Sequence, residues 1–397
     1  MVKHLLKPMC IGCVIMALAA CQSTETTTYQ QEITPTDLYV DDAFSGYDKI
    51  VVETEEDVFA IDDEMRAMVK SKLRPHKSTR QRATILLEHI FESENINLQY
   101  QGGANLTARE TYHSSMANCM SLTIMAYALA KEGGLDVQFQ DVEVPEYWQR
   151  NGQYNMLTGH VNLVVKRKPD NPLNSITFSE AILEIDFDPY VAKKTFAKKV
   201  ISKSTMLAMF YNNKAAQALA IKDYITAYAY FRAATKIDPY FSSSWGNLAI
   251  LYKRNGLLPQ AKAVYLTALS LDPNNNTAKE NFAMLLRKEG KFAQAQALEL
   301  EVLKQRVSNP YYYALLGSEA VHRGALSSAV RHYRKAIQLD SRVDEFYTGL
   351  ASVHFQMGNL SAARIAMRKA IAINKRPKVE AQYLAKLNFL KQAKVTQ

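Results

Sequence analysis

Long hydrophobic runs are almost absent from this chain of 397 residues. Its longest apolar run, PMCIGCVIMALAA at residues 8–20, is shorter than the ~20 residues that a membrane-spanning helix needs. Glycine and proline are no more frequent than in ordinary globular proteins, and 48% apolar and 22% charged residues exclude a low-complexity chain. The composition therefore allows a sizeable core, and the length predicts about two domains.

Sequence signals for metals, cofactors and phosphate groups are missing as well. The histidines lack the regular spacing to cysteines, carboxylates or other histidines that metal ligands show. No glycine-rich loop of the kind that cradles phosphates is present. We therefore expect no metal and no cofactor.

Residues 1–20 have the features of a leader that is removed from the mature protein. A positively charged start, MVKHLLK, precedes the apolar run, which ends in Leu18-Ala19-Ala20-Cys21. These four residues resemble the lipobox of bacterial lipoproteins, and the resemblance implies cleavage before Cys21 and lipidation of that cysteine. Gln22 after the cysteine favours sorting to the outer membrane. An ordinary secretory leader is the alternative.

A lipid-anchored protein of the bacterial cell envelope is therefore expected, at the outer membrane and facing the periplasm. Several acyl chains on one cysteine would hold the protein firmly at the membrane, since each buried methylene contributes ~0.8 kcal/mol. Nucleic acid is a poor partner for a protein in this compartment.

Cysteine is scarce, which makes the last one conspicuous. The chain has Cys10, Cys13, Cys21 and Cys119. Two leave with the leader and Cys21 is lipidated, so Cys119 is the one free thiol and no intramolecular disulfide is possible. An unpaired cysteine in an oxidising compartment indicates a reactive thiol. A buried, inert cysteine that packs as a small hydrophobic residue is the alternative.

The part of the chain before the repeats has a mixed pattern. Residues 21–45 are polar and acidic and are interpreted as a tether. Residues 46–203 are interpreted as one α+β domain, because helical patterns precede alternating, strand-like ones. The predicted helices cover 58–73, 79–93, NLTARETYHS and a segment from Cys119 to Gly133-Gly134. The predicted strands are VQFQDVEV, HVNLVVKR and EAILEIDFDP, with PEYWQRNGQYNMLTG as a loop between the first two.

From residue 208 onward the same residue classes recur every 34 positions, which indicates a repeat array. The clearest unit carries, in order, Trp245, Leu248, Ala249, Tyr252, Gly256, Ala261, Tyr265, Ala268 and Pro273. This pattern resembles the tetratricopeptide repeat and predicts an all-α solenoid of stacked helix pairs. The five predicted units are 208–241, 242–275, 276–309, 310–343 and 344–377, followed by a capping helix and tail at 378–397.

Two of the units depart from the pattern. The first helix of the first unit has Lys214 where leucine is usual, and terminal repeats are often atypical. The third unit has Glu299 in place of the usual aromatic residue and lacks a closing proline. The resemblance implies an array that binds a protein or peptide partner, while leaving the identity of that partner open.

Charge is distributed unevenly along the chain. Residues 208–397 contain 27 Lys and Arg against 12 Asp and Glu, a net charge of +15. Residues 22–66 contain 2 basic and 13 acidic residues, a net charge of −11. The basic half favours an acidic peptide, an anionic envelope polymer or the membrane surface as partner; an ordinary solvated surface is the alternative. A further hypothesis is that the acidic segment docks on the array.

Cys119 lies where a loop turns into an apolar helix, a position at which the helix dipole stabilises a thiolate. A nucleophilic thiolate also needs a base and a group that orients the base. His160 opens a predicted strand, and Asp186 ends the next one. Asp188, two residues on and on the same strand face, is the alternative third member. Together these residues suggest a Cys-His-Asp triad.

The residues around these three positions resemble the motifs of the transglutaminase-like, papain-like superfamily, in that family's order. The matching segments are Thr107-Ala108-Arg109-Glu110, Ala117-Asn118-Cys119-Met120-Ser121-Leu122, Gly159-His160-Val161 and Ile185-Asp186-Phe187. The resemblance implies that Cys119 is the nucleophile, His160 the general base and acid, and Asp186 the group that orients the imidazole. Ala117 and Asn162 depart from the family, which commonly has glycine and an aromatic residue there.

Two functions follow from these features. The first is an envelope-anchored thiol acyl-transfer enzyme, with hydrolysis of an amide favoured over transamidation and with an array that binds a protein or peptide. The alternative is a non-catalytic envelope scaffold, in which the repeats recruit partners and the triad domain is structural.

Overall fold

The computed structural model describes residues 38–92, 99–100, 103–151, 154–166, 181–187, 196–374 and 377–392. Within these ranges a mixed helix-and-sheet part precedes a series of helix pairs. None of the helices found there is both long and apolar enough to cross a bilayer.

Short helices open the described chain. Two 3-10 turns, Asp41–Phe44 and Tyr47–Lys49, are followed by α1 (Glu55–Val58), α2 (Asp63–Met68), a π-helical turn (Val69–Leu73) and α3 (Thr79–Glu92). The side chains of Thr54 and Asp62 accept backbone hydrogen bonds at the starts of α1 and α2, which explains where these helices begin. The predicted helix at 58–73 is thus divided, because Asp62 starts a new helix within it.

The candidate thiol lies on the most buried helix of the mixed part. A short parallel pair, β1 (Gln99–Tyr100) and β2 (Met116–Ala117), and the helix α4 (Ala108–His113) lead to α5 (Cys119–Glu132). Asn118 caps α5 through a reciprocal pair of bonds with Ser121. The helix ends at Gly133, and Gly134 follows with a left-handed φ of 71°.

Four antiparallel strands form a sheet against α5. They are β3 (Asp136–Asn151), β4 (Tyr154–Lys166), β5 (Ala181–Ile185) and β6 (Lys198–Ile201), in the order β5-β4-β3-β6. Phe139, Leu163 and Ile185 belong to the buried core that also contains α5. The pairing of β3 with β4 is interrupted by a bulge between Val142 and Tyr147.

The prediction of a loop at residues 145–159 was wrong. Its described residues belong to β3 and β4, which form one long hairpin beyond the bulge. Its polar sequence does not alternate as a half-buried strand does, because the outer hairpin lies on the helical array rather than on the core of its own domain. Tyr147 and Trp148 contact Tyr311 and Tyr312 there.

Each predicted repeat contains two helices. The pairs are α6 (Lys203–Ala220) with α7 (Tyr224–Ile237), α8 (Ser242–Arg254) with α9 (Leu258–Leu271), α10 (Asn276–Lys288) with α11 (Phe292–Arg306), α12 (Pro310–His322) with α13 (Leu326–Leu339), and α14 (Asp344–Gln356) with α15 (Leu360–Ile373). A final helix, α16 (Pro377–Gln392), packs on α15.

The 34-residue period is also visible in the turn between the two helices of a repeat. Gly256, Gly290, Gly324 and Gly358 occupy the same repeat position and have left-handed φ values between 72° and 81°. The first repeat has Lys222 there, with a φ of 65°. Glycine adopts this conformation without the steric cost that a side chain incurs, so the first repeat is locally strained where the others are not.

The acidic segment at the start of the described chain lies on the first two repeats. The ring of Phe44 stacks on that of Tyr228, with 4.3 Å between the ring centroids. The Asp41 carboxylate accepts two bonds from the Arg232 guanidinium, at 2.8 and 2.9 Å, and Lys214 Nζ lies 2.8 Å from Glu53 Oε1. Residues 38–45, the end of the predicted tether, therefore pack on the array, as the docking hypothesis expects for this acidic segment.

Candidate functional site

Cys119 is the first residue of α5, where the sequence predicts it. The thiol is buried, with 7% of the residue exposed, and its sulfur lies 4.0 Å from the carbonyl oxygen of Gly159 on β4. The side-chain oxygen of Asn118 accepts a bond from the N–H of Ser121, and its backbone carbonyl accepts one from the N–H of Leu122. The N–H of Cys119 precedes these two at the positive end of the helix.

Two buried side chains near the start of α5 join this helix to its neighbours, Thr123 to β4 and Ser121 to the segment before α4. Thr123 Oγ1 lies 2.7 Å from the carbonyl oxygen of Cys119 and 3.2 Å from that of Val161. Ser121 Oγ donates to the carbonyl of Ala104, at 2.8 Å, so the start of α5 is also joined to the segment before α4. Both side chains are fully buried, and the thiol and β4 are therefore held in a fixed relation.

His160 and Asp186 meet in the same place. His160 lies within β4 rather than at its start, and Asp186 directly follows β5, the neighbouring strand. Imidazole Nε2 is 2.9 and 3.0 Å from the two carboxylate oxygens of Asp186, and both side chains are almost completely buried. Because Nε2 is used by Asp186, Nδ1 is the ring nitrogen left for the neighbouring thiol.

The surroundings of His160 favour its charged form. Burial alone lowers the pKa of this imidazole, but hydrogen bonds to Asp186 and Cys119, together with their charges, outweigh burial and raise the pKa to about 10. The imidazole therefore carries a positive charge at neutral pH.

The side chain of Asn162 positions the carboxylate of Asp186, which in turn bonds His160. Its Nδ2 lies 3.0 Å from Asp186 Oδ2 and 2.5 Å from Glu184 Oε1, and the side chain is completely buried. Glu184 in turn accepts a bond from Lys198 Nζ at 2.5 Å. Asp186 is thus oriented from two sides, by His160 and by Asn162.

These supporting residues were missed in the sequence. Asn162 could have been found, because it alternates with His160 along a strand and therefore shares its face. Glu184 could have been found in the same way, because it lies two residues before Asp186. Lys198 carries no comparable signal, since its strand β6 is not adjacent to β5 in the sheet.

The structure brings Cys119, His160 and Asp186 together, but two other predicted positions cannot be compared. Asp188, the alternative third member, and Cys21, the predicted lipidation site, lie outside the described residues. His113, another histidine near the thiol in sequence, bonds Asp62 at 2.6 Å instead. As a chemical arrangement, the site combines a thiol at a helix start, a charged imidazole and a buried carboxylate, which are the parts of a nucleophilic thiol centre.

The site also contacts the first repeat. Asn213 Nδ2 lies 3.6 Å from the sulfur of Met120, the residue after Cys119. Asn105 Nδ2 donates to the carbonyl oxygen of Phe210 at 2.8 Å, and Gln217 donates to that of Gly103. The segment before α4 and the start of α5 are therefore docked on α6.

Comparison with known families supports the repeat part of this description. The tetratricopeptide repeat family model matches residues 242–275 and 344–377, which coincide with the second and fifth predicted units. No curated protein matches the chain.

Several solved structures resemble part of the chain. MamA of Desulfovibrio magneticus is 19% identical and has a TM-score of 0.25, over 42% of this chain and 94% of its own. PilF of Pseudomonas aeruginosa is 16% identical and has a TM-score of 0.27, over 49% of this chain and 96% of its own. A thermophilic tetratricopeptide-repeat protein of Thermus thermophilus is 19% identical and has a TM-score of 0.29, over 46% of this chain and 99% of its own. Similarity at this level says nothing about what this chain binds.

The elevated pKa of His160 predicts a pH dependence of stability. A folded-state pKa of about 10 lies above the ~6.5 of an unfolded histidine, so this interaction stabilises the fold fully below about pH 6.5 and is lost as the pH rises toward 10. Asp186→Asn removes the partner charge. We expect the difference in unfolding free energy between the wild type and this variant, measured by urea denaturation, to shrink between pH 7 and pH 10.

Asp62→Asn is the matched control, because it removes a carboxylate that bonds the half-exposed His113. The difference in unfolding free energy between the wild type and Asp62→Asn should not shrink between pH 7 and pH 10. If the difference in unfolding free energy between the wild type and Asp186→Asn stayed constant from pH 7 to pH 10, His160 would not be charged in the folded protein.

Proposed function

We propose that this protein recruits a protein or peptide partner through its tetratricopeptide repeats. The observation that carries the proposal is the array of five helix pairs, two of which match the family model. Repeats of this kind bind protein or peptide partners on surfaces that extend over several units. In this reading the mixed part, which is docked on α6, is carried by the same scaffold.

The partner that fits best is acidic. Arg334 and Lys335 on α13 recur 34 residues later as Arg368 and Lys369 on α15, so the four lie on one side of the array and are here called the basic surface. Within the described residues none of the four forms an ion pair. Burial and then the charge of Arg334 lower the pKa of His354, so the positive potential of this region acts on its neighbours.

A charge-reversal variant of the basic surface tests the proposal. Fluorescein-labelled peptides of alternating Glu-Ser and Lys-Ser are titrated into the chain at low and at physiological salt. We expect the acidic peptide to bind about tenfold more tightly than the basic one, and the advantage to fall with salt, because exposed charges are screened. Arg334→Glu, Lys335→Glu, Arg368→Glu and Lys369→Glu together should abolish the advantage.

The matched control changes the same number of charges elsewhere in the array, with Lys236→Glu, Lys262→Glu, Lys288→Glu and Lys304→Glu. It should keep most of the preference for the acidic peptide. Equal losses in both variants would show that net charge, and not the basic surface, is responsible.

We further propose that the protein is anchored in the bacterial cell envelope through a lipidated Cys21. The support is the sequence of residues 1–22, which lies outside the described structure. Cys21→Ser is expected to abolish incorporation of radiolabelled palmitate and to move the protein from the membrane fraction to the soluble fraction. Retention of the variant in the membrane fraction would rule out this anchor.

Thiol acyl transfer is a second candidate function, and the Cys119-His160-Asp186 arrangement is the observation that favours it. In this proposal residues 46–203 form a transglutaminase-like domain. The Cys119 thiolate attacks an amide carbonyl, and the C–N bond breaks as the charged His160 gives its proton to the departing amine, which leaves a thioester. His160 then takes a proton from water, and the resulting hydroxide attacks the thioester carbon. The C–S bond breaks, which releases a carboxylic acid and restores the Cys119 thiolate beside the charged His160. The N–H of Cys119 would stabilise the oxyanion.

Hydrolysis is favoured over transamidation because water is always present, whereas no group in the described site marks a place for an amine. The departures at Ala117 and Asn162 affect how a substrate is positioned. The contacts of Asn162 with Asp186 and Glu184 give one of these departures a supporting role in the site.

Alkylation of Cys119 tests this second function. At pH 7 we expect iodoacetamide to modify the wild type at least about tenfold faster than His160→Gln, because loss of the charged imidazole removes the thiolate's partner. Mass spectrometry of the mature chain follows the modification. Asp62→Asn serves as a control that alters a carboxylate–histidine pair outside the site.

Turnover of envelope peptides by the wild type and Cys119→Ala provides the functional comparison. Equal alkylation rates in the wild type and His160→Gln, together with equal turnover by Cys119→Ala, would leave the scaffold as the function of the whole chain.

A further inference from the structure

The repeat array is interrupted between its third and fourth units. Elsewhere the second helix of a unit packs on the first helix of the next, but α11 does not pack appreciably on α12 or α13, within residues 276–374, all of which are described. The core that begins in the mixed part ends at Leu298 on α11, and the later repeats bury separate, smaller clusters. Leu300 and Leu303 on α11, and Val307 directly after it, are consequently exposed.

The sequence of the third unit accounts for part of this interruption. Glu299 occupies the position where the other units place Phe231, Tyr265, Tyr333 and Met367, which are buried or partly buried. It pairs instead with Arg287 on the surface, at 2.6 Å. A carboxylate at this position cannot be buried against a following repeat without a large desolvation cost.

The outer end of the β3–β4 hairpin occupies the interruption. Glu146 accepts bonds from the guanidinium of Arg306, the last residue of α11, at 2.6 and 3.3 Å. Its backbone carbonyl accepts a bond from Asn309 Nδ2 at 2.7 Å. On the other side of the gap, Asn155 on β4 donates to Glu319 on α12 at 3.0 Å. The hairpin thus joins two stacks of repeats that otherwise share few contacts.

The chemistry of this contact is specific. The Arg306 side chain is only 2% exposed and bonds two carboxylates, those of Glu146 and Glu280. Its guanidinium also lies over the ring of Trp148, 4.8 Å from the centroid, and 5.8 Å from that of Tyr312. Removing one carboxylate from a buried guanidinium strongly destabilises the folded state. Any segment that replaces the hairpin must therefore supply another carboxylate. Arginine, tryptophan and tyrosine are also the residues that dominate binding energy at protein interfaces.

We propose that Glu280, Arg306, Tyr311 and Tyr312, here called the junction site, form a recognition site for a partner segment that carries a carboxylate next to aromatic residues. In the described structure the site holds the protein's own Glu146-Tyr147-Trp148. A partner with this chemistry competes with the hairpin for the junction site. The inference deepens the proposed recruiting function by naming a second place on the array and the chemistry that it takes.

Displacement of the hairpin would reach the thiol site. His160 lies on β4 and pairs with Val142 on β3. Val142 is the last residue of β3 that is paired before the bulge, and Glu146-Tyr147-Trp148 follow directly after it. Binding at the junction site therefore releases the outer hairpin from the array while leaving β4 paired to β5 below the bulge.

A peptide copy of the hairpin tests the proposal. The fluorescein-labelled peptide Val-Glu-Val-Pro-Glu-Tyr-Trp, residues 142–148, is titrated up to about 1 mM into the wild type and into Glu146→Ala/Trp148→Ala, which vacates the site. A tethered segment competes at an effective concentration in the millimolar range, so the vacated variant should bind at least about tenfold more tightly than the wild type. Adding Arg306→Met to that variant should reverse the gain.

A peptide with glutamine and alanine at the positions of Glu146 and Trp148 is the control ligand and should bind none of the proteins. Circular dichroism checks that each variant is folded. In the unaltered chain, saturating peptide should increase amide hydrogen exchange in the outer parts of β3 and β4, a measurement that does not depend on any substitution.

The proposal fails if the peptide binds the wild type and the vacated variant equally, if Arg306→Met retains binding, or if nothing binds and exchange is unchanged. These results would leave recruitment at the basic surface intact, because the Glu-Ser peptide and the substitutions on α13 and α15 test it separately.

Discussion

A tetratricopeptide repeat cannot bury its own helix faces, and the described structure is organised around covering them. Residues 38–53 cover part of the first two repeats with Leu38, Phe44 and two ion pairs. The β3–β4 hairpin lies at the interruption after the third repeat, where Arg306 bonds Glu146 and Glu280. The helix α16 packs on the last unit. Elements from outside the repeats thus complete the array at three places.

The same arrangement connects the candidate thiol site with the array. Cys119 begins α5, whose next residue, Met120, contacts Asn213 on the first repeat. His160 lies on β4, and that strand continues outward to the fourth repeat through Asn155. The candidate site is therefore connected to the array at two places, through the helix that carries the thiol and through the strand that carries the imidazole.

The sequence predicted the parts of the molecule that depend on local patterns. The repeat units follow from a 34-residue period, and the start of α5 at Cys119 follows from the change from a loop to an apolar run. The order of helix, strand and strand also indicated that Cys119, His160 and Asp186 could meet. The bonds of Asn162 with Asp186 and Glu184 were not predicted, because alternation along a strand gives the shared face but not the partner on the neighbouring strand. The segment at 145–159 was misread because its partners are distant repeats.

The sequence by itself determined the helix pairs, their turns and the position of the thiol, since these depend on side chains a few residues apart. Only the tertiary structure decided where the array is interrupted and what occupies the gap. Arg306 and Glu146 are separated by 160 residues, and nothing local marks them as partners. Their pairing is decided by burial: a guanidinium enclosed by Trp148 and Tyr312 must find carboxylates, and the fold brings only Glu146 and Glu280, among the described residues, within reach.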